Sequence, residues 1–180
     1  DLNEKTFNGI LASGLGSLWW GVVGVLYFKS VAFVSPLELT IHRTIWTAFL
    51  LIFTISIYSK WKEVFKILKD YKTTCLLILT SILIVGNWFT WIYAVTVNKL
   101  IDAAFGYYIF PILSVFFGIL FLKEPYNKMK LFSIALVIIA VIYLLLDLNS
   151  TPWIGLIVAL TWSFYTLIRK KIQISTDIGL

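Results

Sequence analysis

Runs of about twenty predominantly apolar residues recur along the chain, and basic loops separate them. Each run is long enough to cross roughly 30 Å of hydrocarbon as a helix. A spanning segment must satisfy every backbone N–H and C=O internally, so such runs dictate helices. Six spans can be drawn, at about residues 7–28, 36–58, 74–97, 102–122, 129–146 and 153–168. The predicted fold class is an all-α, polytopic transmembrane helix bundle. Composition agrees: 60% of residues are hydrophobic and only 13% charged, with mean hydropathy +0.92, where a water-soluble domain carries about 25% charged residues.

The net charge of +6 does not point to nucleic acid, because the basic residues gather in loops. They report topology, with the anionic headgroups of the lipid bilayer as partner. One side of the six-span arrangement holds Lys5, Lys60, Lys62, Lys66, Lys69, Lys72, Lys123, Lys128, Lys130, Arg169, Lys170 and Lys171, which is 12; the other holds Lys29 and Lys99. The excess places the N-terminus and the 60–72 loop in the cytoplasm of a multi-pass protein, and the 147–152 turn outside. That loop has Trp61 and Phe65 among its lysines, with weak amphipathic spacing. It reads as a connector lying on the membrane surface. The single cysteine, Cys75, rules out an intramolecular disulfide and a cysteine-based metal cluster. No metal site and no cofactor is expected. A chain beginning on Asp1 and ending on Ile178-Gly179-Leu180 reads as part of a longer protein. No signal-peptide pattern appears, so the first span is expected to be retained.

Polar insertions interrupt two of the spans. The second span opens with Ser35-Pro36, an N-cap followed by proline in the first turn, and Glu38 follows at the capping-box position. Next come His42, the sole histidine, and Arg43, the only arginine before Arg169. Arg43 lies roughly 10 Å inside the helix start, a depth at which a cation is costly and needs a partner. Glu38 and His42 are four apart and suited to pair; Glu38 and Arg43 are not. Arg43 should therefore seek a group on another helix, Asp102 being the acidic residue nearest in depth. The alternative is a structural charge cluster near the outer face.

The third span carries Gly86-Asn87-Trp88-Phe89-Thr90-Trp91. Asn87, Thr90, Trp91 and Ala94 share a face, and a midplane amide must find a partner. It is either interhelical glue or a group offered to a substrate between indole walls. Asn87 is expected to face the interior beside the fourth helix near Pro111. In that helix Pro111 is expected to introduce a kink, and a broken helix near the midplane marks many transporter sites. Asp102 at its start suits the helix dipole. The first span places Gly9, Ser13, Ser17 and Gly21 on one stripe, for tight packing or for a helix that rocks beside a cavity. Trp19, Trp20 and Tyr27 fall in its outer half as belt residues, with Trp20 also able to line a cavity. The fifth span is featureless and suited to face lipid or another subunit. A faint repeat relates Trp20 to Trp162 and Lys29 to Lys171 across five spans, which would run the second copy inverted.

Glu38-Leu39-Thr40-Ile41-His42-Arg43-Thr44-Ile45-Trp46, Gly86-Asn87-Trp88, Gly106-Tyr107 and Phe121-Leu122-Lys123-Glu124-Pro125 resemble the RarD branch of EamA-type permeases, in the drug/metabolite transporter superfamily. Lys123 stands where many relatives have glycine. The resemblance implies ten spans in two inverted five-helix repeats around a cavity open alternately to each side. Residues 1–148 would be the first repeat, and 149–180 the truncated start of the second. It implies a non-enzymatic permease of the bacterial inner membrane, moving a small organic metabolite or drug-like molecule. Substrate-lining residues would be Asn87, Trp88, Trp91, Tyr107 and Trp20. Glu38, His42 and Arg43 would form a polar lock, with His42 a candidate proton carrier. The partners implied are the substrate, the bilayer, the remaining C-terminal half of the same protein and, through an open helix face, a homodimer. The rival classes are a non-transporting membrane scaffold and an intramembrane enzyme built on His42 and Asp102.

Overall fold

A computed structural model describes residues 2–147 and 152–180, and every element in it is a helix. The 148–151 stretch, including the expected repeat boundary and the expected outward turn, lies outside the described residues. The first helix runs as α1 (Leu2–Leu18), a π-helical stretch (Trp19–Gly24) and α2 (Val25–Ser30). Then come α3 (Pro36–Ile57), the short α4 (Trp61–Lys69), α5 (Tyr71–Thr96) and α6 (Leu100–Leu122). The chain closes with α7 (Lys128–Asp147), α8 (Trp153–Ile172) and the single turn α9 (Thr176–Gly179). Four helices among the described residues have the length and apolarity to cross a membrane: Glu4–Ser30, Pro36–Ile57, Tyr71–Thr96 and Leu100–Leu122.

Local chemistry sets the boundaries. Ser35 is extended, with ψ 143°, and its Oγ accepts the Glu38 N–H at 3.2 Å with Pro36 in the first turn, as its sequence position required. Asn127 caps α7 by accepting the Lys130 N–H at 2.8 Å. In α4, Trp61, Phe65 and Leu68 fall on one face and Lys62, Lys66 and Lys69 on another, a sharper division than the spacing suggested and one suited to an interface. The helix α6 runs on through Pro111 from Leu100 to Leu122.

The core centres on α8, which packs along both α5 and α6. Ile154, Val158 and Ala159 of α8 are fully buried, as are Ile92 and Ala94 of α5 and Ala103 of α6. Two glycines make this possible. A Cβ on Gly106 would stand 2.4 Å from the Gly155 carbonyl oxygen, and a Cβ on Gly155 2.4 Å from the Asp102 carbonyl oxygen. The two backbones therefore touch at this crossing, the device by which membrane helices gain dispersion contacts without a hydrophobic drive. The small-residue stripe of the first helix does not serve this purpose here: its glycines, Gly9 and Gly21, have no atom within 4 Å of an added Cβ, nor do the nearby Gly14 and Gly16. The expected tight packing of that stripe is absent from the described contacts.

The α2–α3 and α5–α6 turns lie at one end, where Phe28 packs with Trp91, Val95, Ala103 and Ile154. At the other end, Lys60 pairs with Asp177 at 2.5 Å and Lys170 pairs with Glu124. Arg169 folds the tail back at this end, donating to the carbonyls of Ile174 at 3.0 Å, Ser175 at 3.3 Å and Gly179 at 3.1 Å. The faces of α1, α3 and α7 that meet no other helix expose Leu11, Leu15, Phe49, Phe53, Phe132 and Ile139, a surface suited to lipid and not to water.

Candidate functional site

The helices α3, α5, α6 and α8 and the π-helical stretch enclose a cavity of about 490 Å³, within the range of small-molecule sites. Each of these elements contributes for a local reason. A π-helical stretch closes i→i+5 bonds and re-phases the helix it interrupts. Here it carries Trp20, whose ring lies 5.1 Å from that of Trp91. Trp20 faces Tyr107 of α6 across the same cavity lining. Phe28 meets the far edge of Trp91 at 5.3 Å in a T-shaped pair, so Trp91 is buried and fixed between two aromatic neighbours.

Asn87 is 2% exposed. Its Nδ2 donates to the Val158 carbonyl at 3.1 Å and to Thr161 Oγ1 at 3.0 Å. Both amide hydrogens are therefore spent on α8. The expectation of an inward-facing amide holds, and the groups that receive its hydrogens lie on α8. The reason is the close α6–α8 crossing, which brings the α8 backbone against α5. Thr90, Trp91 and Ala94, which share its face, are buried as well.

Arg43 is half-buried, and its Cζ lies 4.1 Å from the Trp88 ring centroid and 5.0 Å from that of Trp20. Two indole faces thus take the charge through cation–π attraction. The expected ion pair with Asp102 does not form: the ion pairs among the described residues are Lys60–Asp177 and Lys170–Glu124. Geometry explains the correction. On α6 it is Tyr107 that shares a cavity with Arg43, and Asp102 stands about 7.5 Å further along the helix axis toward the α5–α6 turn. The suggested Glu38–His42 pairing is likewise absent from those ion pairs. Both side chains are exposed to a second cavity of about 690 Å³, next to the 30–35 turn.

Six of the eight residues singled out from sequence, Trp20, Arg43, Asn87, Trp88, Trp91 and Tyr107, converge on the first cavity. Glu38 and His42 line the second. Trp20 and Arg43 border both, and so stand as a partition between them. Sequence reasoning missed Phe110, Trp162 and Tyr165, which complete the aromatic wall. Phe110 meets Trp162 edge-on at 6.3 Å, and Trp162 stacks on Tyr165 at 5.5 Å. A signal was there: the faint sequence repeat aligns Trp162 with Trp20, and Tyr165 follows it by three positions on the same helix face. At the end of the cavity beside the tail, Thr176 and Leu180 form part of the lining. There the Lys60 ammonium holds the Asp177 carboxyl below its ordinary range, and the Lys170 ammonium does the same to Glu124.

Comparison with known proteins meets this geometry. The model of the EamA-like transporter family matches residues 7–146. An uncharacterized transporter of Vibrio cholerae is 37% identical over 96% of this chain and 57% of its own length. Protein RarD of Salmonella typhi is 32% identical, and that of Escherichia coli 30%, each over 98% of this chain and 60% of the relative. The chain thus spans about three-fifths of the length of these relatives. No solved structure matches it. Matched by the family model over most of its length and by RarD proteins over nearly all of it, this multi-pass helical chain belongs to the EamA-like transporter family, among its RarD-type members.

Proposed function

We propose that the chain is the first part of a secondary transporter that moves a small organic metabolite or drug-like molecule across the bacterial inner membrane by alternating access. One observation carries this reading. Two cavities approach from opposite ends of the bundle, and the only described side chains common to both linings are Trp20 and Arg43. A wall one side chain thick between two half-channels is what an alternating-access site requires. Movement of Trp20 and Arg43 would connect the substrate cavity to the outer vestibule. Separation of the tail from α3 would connect it to the opposite side.

In this reading α7 and α8 also span, giving six spans. Residues 1–148 form the first five-helix repeat, and α8 begins an inverted second one. Two facts support that division. Trp20 and its repeat counterpart Trp162 line the same cavity, and the basic residues segregate 12 to 2 by side. The N-terminus is cytoplasmic, the transport direction is outward, and the remaining C-terminal half supplies the other wall of the cavity. His42, exposed in the outer vestibule, is placed to exchange protons with that side.

The test compares cells overproducing the protein with cells carrying Asn87→Leu, measuring a broad panel of small metabolites in the medium and in everted vesicles. Protein-dependent accumulation of at least one compound, lost in the variant at equal membrane abundance, is the expected result. Identical profiles in both would favour a non-transporting scaffold. Chemical conversion of a panel member inside sealed vesicles would favour an enzyme.

A further inference from the structure

The transported molecule's chemistry is written into the unmet needs of Arg43. Its charge rests on Trp88 and Trp20, but cation–π contact uses charge and not N–H donors. A guanidinium presents five N–H groups in a rigid fork, and no described acceptor is hydrogen-bonded to those of Arg43. At membrane depth a cation without an anion is expensive. The described residues lining the cavity include no Asp or Glu, so the field within it is positive. The remaining surface is aromatic, chiefly Trp88, Trp91, Phe110, Trp162 and Tyr165.

Resting on the permease reading above, we propose that this cavity takes a flat aromatic carboxylate. The carboxylate accepts from the Arg43 fork, and the ring lies among the indoles. A fork matches two oxygens held in one plane, which distinguishes a carboxylate from a halide or a neutral carbonyl. With no acidic lining to meet an ammonium, an organic anion is preferred over a cation of the same shape. Entry of the anion also supplies the counter-charge that Arg43 lacks, so the loaded cavity is better compensated than the empty one. Loading can thereby favour the rearrangement of the Trp20–Arg43 partition.

The experiment uses the intact membrane protein, purified in detergent, and three probes of one shape: 2-naphthoate, 2-naphthamide and 2-naphthylmethylammonium. Equilibrium dialysis should show 2-naphthoate binding at least tenfold tighter than either of the others. Arg43→Gln should erase that preference while leaving 2-naphthamide binding within about twofold, and Arg43→Lys should recover it only in part, because an ammonium lacks the fork. The probe series on the unaltered protein decides the matter even if the Arg43 variants fail to fold. Equal binding of the three probes, or no binding of 2-naphthoate, overturns the anion assignment, the former by showing that a carboxylate from elsewhere in the protein already answers Arg43. Neither result touches the metabolite-flux test of the permease. Conversely, selective 2-naphthoate binding without any protein-dependent flux would keep the anion site and discard the permease.

Discussion

Replacing Gly155 by alanine tests how the fold holds the site. The added methyl would stand 2.4 Å from the Asp102 carbonyl oxygen and 3.1 Å from both the Gly106 nitrogen and a Phe105 ring carbon. Ordinary contact begins at 3.4 Å. The nearest obstacle is backbone and has no rotamer by which to yield, so α8 must withdraw from α6 by about 1 Å, at an overpacking cost of about 1–3 kcal/mol. The same withdrawal disturbs α8 where it meets Asn87. Its bonds to Val158 and Thr161, now 3.1 and 3.0 Å, have little room to lengthen before they fail. Interhelical bonds of this kind contribute about 1–2 kcal/mol in membranes. Gly155→Ala should therefore lower unfolding stability in mixed micelles by roughly 2–5 kcal/mol, adding the two effects. It should weaken substrate handling as well, although position 155 lies outside the cavity. Gly86→Ala is the matched control: nothing lies within 4 Å of its Cβ, and it should change stability by no more than about 1 kcal/mol, in the stabilising direction set by helix propensity. Stability of Gly155→Ala within about 0.5 kcal/mol of the parent would refute the close crossing.

Three further outcomes follow from particular contacts. Arg43→Ala and Asp102→Ala should be additive in a double-mutant cycle to within about 0.5 kcal/mol, since the two side chains do not pair; a larger coupling would restore the discarded ion pair. Lys123 closes α6 in the left-handed region at φ 54°, so Lys123→Gly should raise stability by about 1 kcal/mol by relieving that conformation, and a destabilised variant would contradict it. The carboxyls of Asp177 and Glu124 are depressed from ordinary values of 3.8 and 4.5 by hydrogen bonds from Lys60 and Lys170. Their contribution is full above those values and is lost as pH falls through the lowered ones. Thermal stability should thus be insensitive to these pairs from about pH 8 to about pH 5 and decline in more acid solution, and Asp177→Asn with Glu124→Gln should blunt the decline; an unchanged acid limb would count against the pairs.

The chain announces its helices because apolar length leaves a membrane segment no other conformation. Ser35, Pro36 and Glu38 mark a helix start from sequence alone because capping is local. The inward face of Asn87 was legible for the same kind of reason: a period of 3.6 fixes which residues share a side. Partners are another matter. Periodicity says that Asn87 points inward and nothing about whether α6 or α8 receives it. Arg43 was expected to seek a carboxylate because Coulomb attraction looks strongest on paper. The fold instead sets it against two indoles, which attract the charge without supplying a counter-ion. The small-residue signal misled by abundance: α1 has the longest stripe, whereas the closest crossing needs only Gly106 and Gly155, one per helix. The hub role of α8 was illegible for a related reason, since burial from all sides depends on neighbours that composition does not name.

The central claim is that the cavity holding Arg43, Asn87 and Tyr107 opens alternately to the two faces of the membrane. The direct measurement places one cysteine there, Tyr107→Cys, in a protein whose exposed Cys75 has been replaced by serine. A membrane-impermeant thiol reagent is then applied to intact cells and, separately, to everted vesicles. Alternating access predicts labelling from both sides, and 2-naphthoate should slow it from each. Labelling from one side only, with or without ligand, would contradict the account.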